Sequence, residues 1–175
     1  AVLVTIGTGK TKKGPNMTYR IIGLAAEDFA PLFAMTDTEL AARNARRVTA
    51  AADMGFPCRI SLQDARKGEE LILLNHTSHD VATPYRSTYA IYVRQGETAA
   101  DYVDTPPPVF QGRPLGLRAF DVDGMLRDAR LALPGEADAK IRDLFANAEI
   151  AYIHAHNAAH GCFAARVDRF DGDAA

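Results

Sequence analysis

Residues 151–170, AYIHAHNAAHGCFAARVDRF, contain two runs of alternating polar and apolar side chains on either side of the short segment NAAHG. Residues 150–156 and 162–168 are therefore predicted to pair as antiparallel strands joined by a five-residue loop that ends in glycine. Alternation turns one side of this hairpin toward the core, with Ile153 and Val167 buried. The hairpin thus has one apolar face and one polar face.

The polar face gathers side chains that can carry chemistry. If residue 156 lies opposite residue 162, this face comprises Tyr152, His154, His156, Cys162, Ala164 and Arg166. The apolar face then comprises Ile153, Ala155, Phe163, Ala165 and Val167. A change of one residue in register would turn Cys162 toward the core, whereas His154 and His156 share a face in any register because one strand carries both.

Three kinds of site fit the polar face. His154, His156 and Cys162 form a ligand set that zinc or another transition metal accepts, with one position left open for water. Cys162 could instead be a nucleophile with a histidine as its base, which makes the same three residues the catalytic candidates. The imidazoles could also bind a small polar or anionic ligand. The structural alternative is a solvated sheet face with exposed histidines and a small buried cysteine.

Two arginines favour the ligand-binding interpretation, Arg59 within an apolar strand and Arg86 at the start of another, and zinc is not favoured. Arg59 in FPCRISL and Arg86 in PYRSTYAIYVR each supply a guanidinium that can bind a carboxylate or phosphate through two hydrogen bonds. We therefore expect a site, enzymatic or not, lined by Arg59, Arg86, His154, His156, Asn157, His160 and Cys162. His76 and His79 in NHTSHD are expected to lie in a polar loop, since the sequence offers no partner to orient a metal-binding imidazole.

Short strands and helices alternate around the hairpin. TYRIIGL (18–24), ARRVTA (45–50) and PYRSTYAIYVR (84–94) are predicted strands, and CRISL and ELILLNH are predicted to form a hairpin through QDARKGE. A second hairpin is predicted around Asp121–Gly124. Helices are predicted at 25–34, at 36–44 behind a Thr36 cap, and at 135–149. The fold class is α+β: a mostly antiparallel, twisted or barrel-like sheet built from hairpins, with two to three helices packed on one side.

Length and composition indicate how the chain is divided into domains. A chain of 175 residues that is 47% hydrophobic is expected to form one α+β domain, residues 17–170, with an N-terminal extension at 1–16 and a tail at 171–175. Gly-Lys-Thr at 9–11 is not a phosphate loop, because Val4 stands where that motif needs glycine.

Charge and hydropathy exclude some classes of partner. A net charge of −2 gives no reason to expect nucleic acid or an anionic membrane, and no apolar run is long enough to span a bilayer. Two cysteines are not a disulfide framework, so we expect a cytoplasmic protein with free thiols. A small-molecule ligand is the expected partner. The rival hypothesis is a noncatalytic interaction or structural module. In it the protein is a homodimer, and a second copy of the chain covers the polar face with His154 and His156, the histidine face.

Several separated motifs resemble one bacterial family, the domain of unknown function 1203 (DUF1203). They are MTYRIIGLAAEDFAPLF, GFPCRISLQDARKGEELILLNH, TPYRSTYAIYVR, LRAFDVDGM and AYIHAHNAAHGCFAARVDRF. The resemblance covers about residues 17–170 and draws attention to Cys58 and Arg59, to Pro84–Arg86, and to the segment from His154 to Cys162. It implies a bacterial protein and brings no activity, ligand or catalytic residue with it.

Overall fold

The computed structural model describes residues 17–172, which form two antiparallel sheets and three α-helices. The predicted extension, residues 1–16, lies outside the described residues, as does the end of the predicted tail. The nine strands are β1 (Thr18–Ile22), β2 (Ala45–Thr49), β3 (Glu70–His79), β4 (Ser87–Arg94), β5 (Asp101–Val103), β6 (Leu115–Phe120), β7 (Leu126–Ala132), β8 (Tyr152–Asn157) and β9 (Phe163–Phe170). The helices are α1 (Ala30–Phe33), α2 (Asp37–Ala41) and α3 (Ala137–Phe145).

The larger sheet has the order β5-β1-β9-β8-β6-β7, and the smaller one has the order β2-β3-β4. Every neighbouring pair of strands in both sheets is antiparallel, and neither sheet closes into a barrel within the described chain. The α+β prediction with a mostly antiparallel sheet is confirmed. The β6–β7 hairpin is also confirmed, and its turn needs Gly124, which has φ +81°.

The main core lies between the larger sheet and α3. Ile141, Leu144 and Phe145 point from α3 into a buried cluster that contains Ile153 of β8 and Val167 of β9. This apolar spacing on α3 is the one the sequence predicts. A second cluster joins the smaller sheet to the short helices, and α2 begins at the predicted Thr36 cap with a complete capping box.

The predicted hairpin of residues 150–168 is confirmed, with Ile153 opposite Val167 and both fully buried. Its register differs by two residues from the prediction, since Tyr152 lies opposite Asp168. A bulge then places His156 opposite Phe163. Because the bulge adds one residue to β9, the side-chain alternation reverses there. The assignment of Phe163 to the apolar face was therefore wrong.

The first part of β9 shows this reversal. The Phe163 ring centre lies 5.1 Å from that of His154, whereas Ala164, predicted on the polar face, belongs to the main core. The face that carries the histidines is thus more apolar than the sequence predicts.

The predicted hairpin between CRISL and ELILLNH does not form. Strand β3 pairs with β2 and β4, which occupy both of its edges. The segment 58–62 instead runs between β4 and the residues that follow β1: Arg59 N donates to Tyr92 O at 2.9 Å, and Arg59 O accepts from Leu24 N at 2.8 Å. Gly23 permits this close approach, because a Cβ there would lie 1.8 Å from the Ile60 oxygen.

No helix in the described part of the chain is both long and apolar enough to cross a bilayer.

Candidate functional site

A cavity of about 420 Å³ opens between the smaller sheet, the segment around Arg59 and the loop of the β8–β9 hairpin. Its polar lining consists of Arg59, Arg113, Asn157, His160 and Cys162. Its apolar wall includes Pro57, Leu73, Ala90 and Tyr92. Four of the seven predicted site residues, Arg59, Asn157, His160 and Cys162, therefore meet at one place.

Arg59 is the most unusual group in this cavity, because only 2% of it is exposed. Its Nε donates to Phe163 O at 2.5 Å and its Nη1 donates to Pro57 O at 2.6 Å. Its Nη2 lies 3.8 Å from Cys162 Sγ. Burial lowers the pKa of Arg59, yet a guanidinium keeps its proton in proteins. The two carbonyls and the thiol engage three of its five N–H donors and do not cancel its charge.

Arg113, the second arginine of the cavity, is already paired. Its Nη2 donates to both oxygens of Asp64 at 2.7 and 2.8 Å, and its Nη1 donates to Val109 O at 3.0 Å. No ion pair joins Arg59 to a carboxylate in residues 17–172. Among residues 17–172, Arg59 is therefore the arginine of the cavity that has no direct carboxylate partner, and Asp64 acts on it only from beyond ion-pair distance.

The hairpin loop presents the other polar groups of the cavity. Asn157 Oδ1 accepts from the backbone N–H of Ala159 at 3.1 Å, and Gly161 N donates to Asn157 O at 2.7 Å. His156 fixes the far end of the loop, since its Nδ1 lies 3.0 Å from Gly161 O. A carbonyl only accepts, so His156 carries its proton on Nδ1. Asn157, His160 and Cys162 are thus held by the loop and by one buried histidine.

His154 and His156 themselves lie between the two sheets, with 2% and 5% of their surfaces exposed. His79 of β3 covers His154, with ring centres 4.8 Å apart, and Tyr89 of β4 lies 4.9 Å from His156. The interpretation of these histidines as exposed groups on a solvated face is therefore wrong. The sequence contains no signal that the smaller sheet covers this face.

Burial keeps both histidines neutral. It lowers the pKa of His154 to about 2 and that of His156 to about 4, with further contributions from Arg118 and His79. The Nε2 atom of His156 is buried and has no hydrogen-bond partner among the residues that the structure describes. Neutral rings in this position are packing and positioning groups, and neither ring lines the cavity described above.

His79 is a second departure from the sequence analysis. It ends strand β3 instead of lying in a polar loop, and it is almost completely buried. Its Nδ1 lies 2.9 Å from Tyr85 O and its Nε2 lies 2.7 Å from Tyr152 Oη. A carbonyl only accepts, so Nδ1 of His79 donates to Tyr85 O. His79 and Tyr152 thus lie at the end of the buried histidine cluster (His79, His154 and His156) that is remote from the loop of the β8–β9 hairpin.

The remaining predicted site residue, Arg86, does not join the others. It is exposed, and its Nε donates to Asp80 Oδ1 at 2.8 Å. Within residues 17–172 no group of three His, Cys, Asp or Glu side chains is arranged to hold a metal ion. Sequence reasoning missed Tyr92 and Arg113, which reach the cavity from elements distant in the chain.

The fold and the cavity together describe an α+β protein with one buried guanidinium, which has no direct carboxylate partner among residues 17–172, at a small and mostly apolar cavity. The family model of a protein of unknown function, DUF1203, matches residues 55–169, which include the cavity-lining residues and the hairpin. The chain belongs to the DUF1203 family. No curated protein and no solved structure matches it.

Proposed function

We propose that the protein binds a small organic acid in the cavity, with the carboxylate on Arg59. The observation that carries this proposal is the burial of a guanidinium at a cavity without a carboxylate partner. A buried charge costs free energy unless an opposite charge and hydrogen bonds compensate it. An anion at Nη2 would supply that charge, and charge-assisted hydrogen bonds of this kind are about twice as strong as neutral ones.

The lining favours one anionic group attached to an apolar body. Arg113 is occupied by Asp64, so a polyphosphate would meet only one free cationic side chain among the arginines of the cavity. Leu73, Ala90 and Tyr92 offer an apolar wall to the rest of the ligand. A small monocarboxylate with an aliphatic body fits one cation and an apolar wall better than a nucleotide does. Asn157 and His160 are available for a second polar group.

The alternative hypotheses have weaker support. A zinc site would need His154, His156 and Cys162 to converge, whereas His156 packs against Phe163 and Tyr89, and Cys162 lies by Arg59. A homodimer formed through Tyr152 and His154 would need those side chains exposed, and the same chain already covers both. Elemental analysis of the purified protein checks the first, and sedimentation checks the second.

The location that best accords with this proposal is the bacterial cytoplasm. Both cysteines are free thiols, with Cys58 buried and Cys162 half-buried, and a reducing compartment maintains them. Bacterial origin rests on the family resemblance. Fractionation of expressing cells with detection of the untagged protein tests the location.

A matched ligand pair tests the proposed function. Thermal stability is measured with 4-methylpentanoate and with 4-methylpentanamide, which has the same body and no charge. The acid is expected to raise the melting temperature with the logarithm of its concentration above the dissociation constant, and the amide to have little effect. Equal effects, or none from the acid, would contradict the proposal.

Two variants locate the binding. Ala90→Trp fills the cavity from an exposed position on β4, and Thr88→Trp places the same side chain two residues away, outside the lining. The first is expected to abolish the effect of the acid and the second to retain it. Because both changes are on one exposed face, a difference between them reports the cavity and not the stability of β4.

A further inference from the structure

We propose that Cys162 is a nucleophile toward the carbon next to the ligand's carboxylate, and that the natural ligands are 2-oxo acids. This inference rests on the proposed function, because it takes the carboxylate on Arg59 as its starting point. It adds a reversible covalent bond and a narrower class of ligand.

The short distance between the guanidinium and the sulfur selects this class. Cys162 Sγ lies 3.8 Å from Arg59 Nη2, and a carboxylate oxygen bound to that nitrogen would lie at about 2.8 Å from it. The sulfur therefore lies beside the carboxylate instead of further along the ligand. Beyond the carboxylate, the first ligand carbon within reach of the sulfur is C2, which is bonded directly to the carboxylate carbon. An electrophilic carbonyl at that carbon defines a 2-oxo acid.

The reaction needs no other reactant. The sulfur forms a bond to C2 of the oxo acid, and the π electrons of the C2 carbonyl move to its oxygen. The proton of the thiol ends on that oxygen, which gives a hemithioketal. His160 lines the same cavity and offers an imidazole to carry the proton. Every atom of the thiol and the acid is retained, and the reverse step releases both unchanged.

The two cysteines differ in the properties this role requires. Cys58 is fully buried and belongs to the core cluster beside the smaller sheet. Cys162 is half-buried, lines the cavity and follows Gly161, whose carbonyl is held by His156. A structural filler needs neither access nor a neighbouring buried cation. Cys162 has both.

The test compares 4-methyl-2-oxopentanoate with 2-hydroxy-4-methylpentanoate, which keeps the carboxylate and the body and lacks the electrophilic carbonyl. Dissociation constants are measured by calorimetry on the full chain for the wild-type protein, Cys162→Ser and Cys162→Ala. We expect the oxo acid to bind at least tenfold more tightly than the hydroxy acid in the wild-type protein, and the two to bind equally in both variants. Circular dichroism checks that the variants are folded.

A spectroscopic signal makes the covalent bond visible. With the oxo acid labelled with ¹³C at C2, the resonances of the free acid and its hydrate are expected to be joined by a further tetrahedral-carbon resonance that is absent with Cys162→Ser. Equal binding of both acids to the wild-type protein, without that resonance, would overturn the nucleophile and leave the Arg59 site standing. Binding of neither acid would overturn both proposals. An unchanged preference in Cys162→Ser would assign the selectivity to another group and contradict this inference.

Discussion

The two ends of the β8–β9 hairpin contain similar residues and have opposite properties. Within the sheets, His154 and His156 are packed among aromatic rings, and burial keeps them neutral. At the loop, Cys162 and His160 line a cavity beside a buried cation. A cluster of histidines therefore marks the interior, and a buried cation without a direct carboxylate partner in the described chain marks the candidate site. The comparison teaches that net charge in a local environment is a better guide to this site than the number of titratable side chains.

The largest expected effect is a pH dependence of stability that arises from the buried histidines. Because His154 and His156 have folded pKa values of about 2 and about 4 against an ordinary 6.5, the unfolded chain binds more protons below pH 6.5. Stability is thus complete above that pH and is lost as the pH falls. Between pH 6.5 and pH 5 each histidine removes about 2 kcal/mol. Urea unfolding at a series of pH values from 7.5 to 5 measures the loss.

His154→Phe sharpens this result, since phenylalanine can pack among the neighbouring Phe120 and Phe163 rings without titrating. The variant should lose about 2 kcal/mol less stability than the wild-type protein over the same range. Burial also lowers the pKa values of His156 and His76. His154→Phe should therefore keep a pH dependence of stability that has the same sign as in the wild-type protein and is smaller. A pH dependence unchanged by His154→Phe would show that this ring is not kept neutral by the fold.

The next effect concerns the loop end of the hairpin, where Cys162 lies beside Arg59. Replacing Arg59 by lysine keeps a positive charge but removes the planar group that bonds two carbonyls and faces Cys162. Loss of a charge-assisted hydrogen bond is worth about 1.5–3 kcal/mol, so affinity for 4-methylpentanoate should fall roughly 10- to 100-fold. Calorimetric titration measures it, and retained affinity would place the acid elsewhere. If Arg59→Lys does not fold, the affinity of Ala90→Trp for the acid tests the same cavity.

A smaller effect joins the two regions through His156. Its Nδ1–H holds the Gly161 carbonyl, which precedes Cys162 in the loop. His156→Leu should remove one hydrogen bond, worth about 1 kcal/mol, and loosen the loop while the strand stays buried. Hydrogen exchange should quicken at residues 157–162 more than at residues 152–155. Uniform quickening of both segments would mean that the histidine supports the whole hairpin and not the loop.

The smallest effect is expected at Arg86, which the sequence assigns to the site and the structure places on the surface. Its exposed ion pair with Asp80 contributes less than about 1 kcal/mol to stability. Arg86→Ala should leave both the melting temperature and the affinity for the acid nearly unchanged. A large loss of affinity in this variant would return Arg86 to the ligand site and weaken the assignment to Arg59.

Much of the fold follows from local patterns in the sequence. Ile153 and Val167 identify the buried face of the hairpin because strand alternation has a period of two, and the Asp-Gly step of the β6–β7 turn needs a positive φ that glycine supplies. Ile141 and Leu144 do the same for α3 by helical spacing. These features depend on neighbours in the chain, so one sequence is enough to predict them.

The parts that could not be predicted depend on distant segments. The bulge that turns Phe163 toward His154 leaves no mark in a two-residue alternation. Covering of the histidine face depends on His79 and Tyr89, which come from a different sheet. Arg59 and Arg86 look alike in sequence, because each lies within or at the start of a predicted strand and offers the same guanidinium. Only the tertiary structure buries Arg59 at a cavity and leaves Arg86 in solvent.

The most direct measurement is a crystal structure of the wild-type protein with 4-methylpentanoate bound. The carboxylate is predicted to lie within about 3 Å of Arg59 Nη2, next to Cys162, with the aliphatic body against Leu73, Ala90 and Tyr92. An acid bound at Arg86 or at another surface arginine, with the Arg59 cavity containing only water at saturating concentration, would contradict the claim that this guanidinium is the anion site.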